Sequence, residues 1–105
     1  MKHFTLLLLL VISLLHLSSC ETEKKRVLIG VSQCSQDEWR SKMNMEMSHE
    51  AALHQGVELV FKTSIDNSEQ QIKDIEFFIN SKVDLLIVSP NTAAPITPIL
   101  EKALS

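Results

Sequence analysis

The sequence predicts an α/β fold in which helices cover both faces of a parallel sheet, a three-layer arrangement with the element order β-α-β-α-β-α. Three apolar segments indicate this fold, at residues 27–31, 57–61 and 83–88, because none of them alternates polar with apolar side chains. Strands that are buried on both faces have this continuous pattern. A segment with helical spacing follows each of them, and such alternation is typical of parallel sheets with right-handed crossovers.

The first unit begins with the strand Val27-Leu28-Ile29-Gly30-Val31, and residues 32–36 form a polar loop. Asp37-Glu38 then places negative charge where it stabilises the start of a helix. Apolar residues recur every four positions along this helix, and the stripe consists of Trp39, Met43, Met47 and Ala51. The helix is predicted to end near residue 55, and Gly56 is expected to adopt a left-handed conformation as its C-terminal cap.

The second unit joins the strand at 57–61 to a helix predicted at 68–81. Ser68-Glu69-Gln70-Gln71 has the form of a capping box, in which the serine hydroxyl and the Gln71 side chain satisfy free amides at the helix start. The apolar side chains that follow at helical spacing are Ile72, Ile75, Phe78 and Ile79. The third unit joins the strand at 83–88 to a helix predicted at 93–105, which carries prolines near its start.

Length and composition limit what this fold can be. The chain has 105 residues, of which 45% are hydrophobic and 22% charged, so that a two-domain protein and a membrane bundle are both excluded. Complete open sheets of this class usually have about five or six strands. We therefore expect residues 27–105 to be the N-terminal part of a larger, truncated domain with an exposed sheet edge. The net charge of −3 indicates no basic surface for nucleic acid.

Residues 1–20 are predicted to be a signal peptide with a lipobox. A basic start precedes an apolar stretch of 14 residues, Phe4–Leu17, which is shorter than the about 20 residues of a membrane span. Leu17-Ser18-Ser19-Cys20 resembles a bacterial lipobox, so Cys20 is the expected lipidation site; ordinary secretion or an uncleaved signal anchor is the alternative. Residues 21–26 would then form a charged tether. Lipidation of Cys20 would leave Cys34 without a cysteine partner in the chain.

The candidate binding residues follow the predicted strands, because ligands of open parallel sheets bind beyond the carboxyl ends of the strands. The loop after the first strand offers amide and hydroxyl groups, one indole and one guanidinium, a mixture that suits the hydroxyls and the apolar face of a sugar. Each of three candidates also has a purely structural interpretation. Trp39 could be a core residue on the methionine stripe, Arg40 could pair with Asp37, and Asn91 could be only a turn former after Pro90.

Other chemistries have little support in the sequence. His49 and His54 are five residues apart, which separates them by about 140° around a helix and prevents the metal-binding arrangement of H-E-x-x-H. The methionines are expected to pack rather than to bind copper, and Cys34 has no histidine near it in sequence. Glycine-rich phosphate loops are absent. We therefore expect no metal, no cofactor and no catalytic residue; a hydrolytic enzyme on the same scaffold is the alternative from another class.

A family resemblance rests on three stretches of the chain. They are Val27-Leu28-Ile29-Gly30-Val31-Ser32-Gln33-Cys34-Ser35, Trp39-Arg40-Ser41-Lys42-Met43-Asn44 and Val83-Asp84-Leu85-Leu86-Ile87-Val88-Ser89-Pro90-Asn91. This pattern resembles the type I periplasmic binding proteins, which include ribose-binding and LacI-like sugar receptors. It is most similar to the N-terminal sensor domains of Bacteroides hybrid two-component regulators.

The resemblance implies a two-lobed receptor that closes on a small sugar in the periplasm and is not an enzyme. The family's sugar contacts map onto Ser35, Gln36, Trp39, Arg40 and Asn91. The implied parent protein is a membrane-anchored sensor coupled to a histidine kinase outside this chain, and the alternative is a lipid-anchored receptor that delivers sugar to an ABC importer.

Overall fold

A computed structural model describes Met1 and residues 25–105. The predicted signal peptide, its Cys20 lipidation site and most of the predicted tether lie outside the described residues. The elements are β1 (Val27–Gln33), α1 (Glu38–Leu53), β2 (Val57–Thr63), α2 (Ser68–Asn80), β3 (Leu85–Ser89) and α3 (Ala93–Leu104). All strand pairs are parallel and the strand order is β2-β1-β3, which confirms the predicted fold class and places β1 at the centre.

The three layers follow from the alternation of side chains along the strands. Gly30 of β1 faces α2, because a Cβ atom at this glycine would lie 2.7 Å from the Phe78 ring. Ile29, one residue earlier, points to the opposite face and lines a hollow beneath α1. Along β3 the same alternation places Leu86 against the core under α2 and α3 and Ile87 on the α1 side. One layer is therefore α1, and the layer on the other side of the sheet is α2 with α3.

The hydrophobic core lies between the sheet and the pair of helices α2 and α3. Ile75, Phe78 and Ile96 are all 0% exposed, and Ile99 is 7% exposed. The helical spacing that predicted α2 also places Ile75 and Phe78 on the face that meets the sheet. Burial of such side chains stabilises a fold by about 1.5–3 kcal/mol each, so this layer supplies much of the stability of the described residues.

The α1 layer is packed more loosely, which excludes the purely structural interpretation of Trp39. No residue of α1 is buried, and the indole of Trp39 is 66% exposed, so Trp39 is not a core anchor. Met43 and Met47 of the predicted stripe are half-buried. The most buried polar contact of α1 joins the side chains of Gln33 and Asn44, whose amides exchange two hydrogen bonds of 2.6 and 3.1 Å.

Helix and strand starts show where local sequence and tertiary structure disagree. Asn67, and not Ser68, caps α2, because its side chain accepts the backbone N–H of Gln70 at 2.9 Å; the predicted capping box is therefore wrong. Strand β3 begins at Leu85, two residues later than predicted, because the Asp84 carboxylate and backbone N–H bind the backbone of Leu28, each at 2.8 Å. Gly56 has the expected positive φ, at 88°, but α1 ends at Leu53 with His54 as its C-cap, so the expectation that Gly56 caps this helix is wrong. Within the described residues, no helix combines the length and apolar character of a membrane span.

Candidate functional site

The candidate site lies at the edge of the sheet where all three strands end. In the register of the sheet, Gln33 at the end of β1 is level with Thr63 of β2 and with Ser89 of β3. Because the strands are parallel, the loops that follow them emerge side by side at this edge. Four candidate residues follow β1, namely Ser35, Gln36, Trp39 and Arg40, and Asn91 follows β3. The fold thus brings the two segments that carry the candidates to the same edge.

Asp37 fixes the loop after β1 to the start of α1. Its carboxylate accepts the backbone N–H of Arg40 at 2.8 Å and the hydroxyl of Ser35 at 3.0 Å. The hydrogen bond from the Arg40 backbone, followed by that from Ser35, lowers the pKa of Asp37, since both favour the charged carboxylate. The hydroxyl of Ser35 is therefore oriented by the helix cap, whereas Gln36 is exposed beside it.

Trp39 and Arg40 form an aromatic and cationic pair at the start of α1. The guanidinium carbon of Arg40 lies 5.1 Å from the centroid of the Trp39 ring, within the range of a cation–π contact. No ion pair joins the side chains of Arg40 and Asp37 among residues 25–105; the two residues meet through the backbone N–H of Arg40. The guanidinium is thus held beside an exposed indole at the edge of the sheet.

Asn91 is held by a network of hydrogen bonds that starts from α2. Its backbone N–H donates to Oε1 of Gln71 at 2.9 Å, and its side-chain Nδ2 donates to the hydroxyl of Ser68 at 3.1 Å. The Ser68 hydroxyl also lies 3.1 Å from that of Thr92. Asn91 is therefore more than a turn former, because both its backbone and its side chain bind α2.

Gln71 is the residue of this edge whose role the sequence analysis missed. The capping-box interpretation placed its side chain at the start of its own helix, but the side chain reaches the sheet and is 0% exposed. A signal was present in the sequence. Gln71 lies four residues before Ile75 and seven before Phe78, and this spacing places a polar residue on the buried face of α2.

The described residues contain no cluster of histidine, cysteine or acidic side chains that could hold a metal ion. Two carboxylate residues near the strand ends have structural roles. Asp37 caps α1, and Asp66, at a positive φ of 47°, forms the turn after β2. His54 pairs with Glu50 at 2.9 Å on the exposed side of α1 and not with His49. Cys34 is a free, half-buried thiol.

Comparison with known proteins gives matches only among solved structures; no family model and no curated protein sequence matches the chain. The fructose-binding periplasmic domain of a Bacteroides hybrid two-component system is similar at a TM-score of 0.72 and 46% identity, over 74% of this chain and 26% of that one. An ABC transporter solute-binding protein from Bacillus halodurans with bound myo-inositol is similar at 0.70 and 30% identity, over 79% of this chain and 29% of that one.

A third match is the periplasmic component of an arabinose ABC transporter from Shewanella, bound to L-arabinofuranose, at a TM-score of 0.65 and 30% identity over 74% of this chain. This chain spans only about a quarter of the length of the structures it matches, 26% in the first and third cases.

Proposed function

We propose that this chain, which forms part of one lobe of the type I periplasmic sugar-binding fold, contributes one side of the binding site of an exported domain for a small sugar. The observation that carries the proposal is the pairing of the exposed Trp39 indole with the Arg40 guanidinium at the carboxyl edge of the sheet. The fixed hydroxyl of Ser35 and the tethered Asn91 lie at that same edge.

These groups match the chemistry of a sugar. The apolar face of a sugar ring stacks on an aromatic ring, and planar amide and guanidinium groups offer hydrogen bonds in fixed directions to neighbouring hydroxyls. Arg40 keeps its guanidinium beside Trp39, so that one ligand could contact both side chains. In this proposal Ser35, Gln36 and Asn91 supply the remaining polar contacts, and the segment performs no catalysis.

A complete site requires a second lobe. Small-molecule sites usually bury about 70–90% of the ligand surface, and an open sheet edge does not do so by itself. The matched structures are about four times longer than the part that this chain covers. We therefore expect strong binding only in the complete domain, in which a second lobe closes over Trp39 and Asn91.

For the parent protein we propose the periplasmic sensor of a hybrid two-component system, because the matched fructose-binding domain of such a system shares 46% identity with this chain. The alternative is a lipid-anchored receptor of an ABC transporter, which the 30% identity to a transporter solute-binding protein supports. Reading the gene beyond Ser105 separates them. Kinase and response-regulator sequence would follow in the first case, and a stop codon after the second lobe in the other.

The membrane anchor has its own test. Cells that express the parent protein would be labelled with an alkyne fatty acid, and we expect label on the wild type and none on the Cys20→Ser variant. Equal labelling of the two proteins would remove Cys20 as the lipidation site, and no labelling of the wild type would favour ordinary secretion or a signal anchor.

Sugar binding is tested by calorimetry on the complete exported domain with D-fructose, D-ribose, L-arabinose, D-allose and myo-inositol. We expect saturable binding of at least one of them and a Kd at least about tenfold higher in Trp39→Ala, a loss of about 1.4 kcal/mol. Met45→Ala is the matched control, because Met45 is 51% exposed on the same helix and is not a candidate contact. Turnover of a sugar, or no response to any of the five, would overturn the proposal.

A further inference from the structure

The carboxamide of Gln71 in α2 joins three segments at the candidate edge. Its Nε2 donates to the backbone carbonyl of Ser89 at 2.8 Å and lies 3.3 Å from the hydroxyl of Ser32. Its Oε1 accepts the backbone N–H of Asn91 at 2.9 Å. One side chain of α2 thus binds the end of β1, the end of β3 and the loop after β3.

The carboxamide fits this place because it carries donors and an acceptor in one plane. Ser89 offers a carbonyl and Asn91 an N–H only two residues apart, and a single amide group pairs with both. An aliphatic side chain of similar length would leave both backbone groups without these partners, at an edge where Ser32 is also 0% exposed. The backbone between Ser89 and Asn91 would then be free to change its path.

The same helix also holds the side chain of Asn91. Ser68, one turn before Gln71, accepts a hydrogen bond from Asn91 Nδ2 at 3.1 Å, and Ser68 is only half-buried. Gln71 therefore sets the backbone of the loop and Ser68 the direction of the amide. Two contacts from one rigid helix fix both the position and the orientation of Asn91.

We infer that Gln71 is a positioning residue for sugar binding, which acts by holding Asn91 in the orientation that receives the ligand. This inference rests on the proposed function, since it assigns Asn91 to the sugar site. A buried glutamine that served only stability would affect unfolding but not the contribution of Asn91 to binding, and this difference is measurable.

The experiment is a double-mutant cycle in the complete exported domain, with the sugar of the panel that the wild type binds best. We expect Gln71→Met and Asn91→Ala each to raise Kd at least tenfold, and the double variant to bind no more than about twofold worse than either single variant. Residues that act through one another lose their effects in this non-additive way. Gln71→Glu, which keeps an acceptor for Asn91 N–H but lacks the donors, is expected to retain part of the affinity.

Two further variants keep the result interpretable. Ile75→Val weakens the core from the same helix and is expected to lower stability without changing Kd. Ser68→Ala removes only a half-buried hydroxyl, so it still tests the network if Gln71→Met does not fold; we expect a threefold to tenfold rise in Kd. Wild-type affinity in Gln71→Met and in Ser68→Ala, or additive losses in the cycle, would overturn the inference. Absence of any sugar binding by the wild type would instead overturn the proposed function.

Discussion

The two faces of the sheet are held by different forces. Beneath α2 and α3 the side chains of Ile75, Phe78 and Ile96 are completely buried, whereas no residue of α1 is buried. The α1 side instead has a mostly apolar hollow of about 350 Å³ between the helix and the strands, which Ile29, Met47 and Ile87 help to line. Hydrophobic burial therefore holds α2 and α3 on the sheet. On the other face Val31 of β1 is 1% exposed, but α1 itself is held by partial packing and by the part-buried amide pair of Gln33 with Asn44.

This difference divides the candidate site as well. Trp39 and Arg40 stand on the loosely packed helix, and their position depends on the Asp37 cap and on the Gln33–Asn44 pair. Asn91 depends on α2, which the core holds rigidly against the sheet. The candidate edge therefore joins a helix that is anchored by the core to a helix with no buried residue, and the variants described next test whether the two faces differ in this way.

The largest effect is expected at Phe78. Its ring is 0% exposed and packs on the backbone at Gly30, so Phe78→Ala should lower the free energy of unfolding by about 3–5 kcal/mol. Phe77→Ala is the matched control on the same helix, because Phe77 is 48% exposed and contacts Lys62 at 4.4 Å from its ring; its cost should stay near 1 kcal/mol. Urea unfolding of the complete domain measures both. A cost for Met47→Ala on α1 equal to that of Phe78→Ala would contradict the comparison.

The next largest loss of stability is expected for Gly30→Ala, which tests how closely β1 approaches α2. A methyl group added in Gly30→Ala would lie 2.7–3.0 Å from three atoms of the Phe78 ring, which is buried and cannot simply turn away. Overpacking of this kind costs about 1–3 kcal/mol. Combining Gly30→Ala with Phe78→Leu should cost less than the sum of the two single changes, as unfolding midpoints would show. Additive losses would mean that the ring is not the obstacle.

On the α1 face, removal of one partner of the Gln33–Asn44 amide pair should lower the stability more than replacement of both partners. Asn44→Ala leaves the amide of Gln33, which is 1% exposed, without its partner and should cost about 1–3 kcal/mol. Replacing both residues, Gln33→Leu with Asn44→Leu, should recover most of that loss, because two apolar side chains then meet. Thermal unfolding of the single and double variants distinguishes these outcomes. A double variant less stable than Asn44→Ala would show that the amide pair stabilises the fold by more than giving each amide a hydrogen-bond partner.

The sequence predicts the parts of this fold that depend on periodicity. Continuous apolar runs gave the strands, and the spacing of Ile75 and Phe78 gave the buried face of α2. The helix cap could not be placed in the same way, because Asn67 and Ser68 are both good N-cap residues. Tertiary contacts decide between them, since the Ser68 hydroxyl is engaged by Asn91 and Thr92 from a distant loop.

The sequence predicts where the candidate site lies in the fold better than it predicts which contacts its side chains make. Parallel strands bring Ser35 and Asn91 to one edge whatever their side chains do. The spacing of Gln71 from Ile75 and Phe78 places it on the buried face of α2. Its hydrogen-bond partners depend on how α2 docks on β1 and β3, which no local pattern specifies. The exposure of Trp39 has a similar origin, because the stripe it shares with Met43 predicts a buried face only where a partner layer covers it.

The smallest change in stability is expected from the titration of Asp37, the N-cap of α1. The pKa of Asp37 lies below its ordinary value of 3.8, because the carboxylate accepts hydrogen bonds from the Arg40 backbone and from Ser35. A carboxyl group with a lowered pKa in the folded state stabilises the fold above its ordinary pKa, and this contribution is lost as the pH falls through the lowered value. Asp37→Asn keeps a side-chain acceptor for the cap but removes the titration. The difference in unfolding midpoint between wild type and Asp37→Asn should therefore be constant near neutral pH and should shift against the wild type below about pH 3.8. The corresponding cap of α2 is Asn67, which does not titrate, so an equal shift in Asn67→Ser would show that the acid sensitivity does not arise at α1.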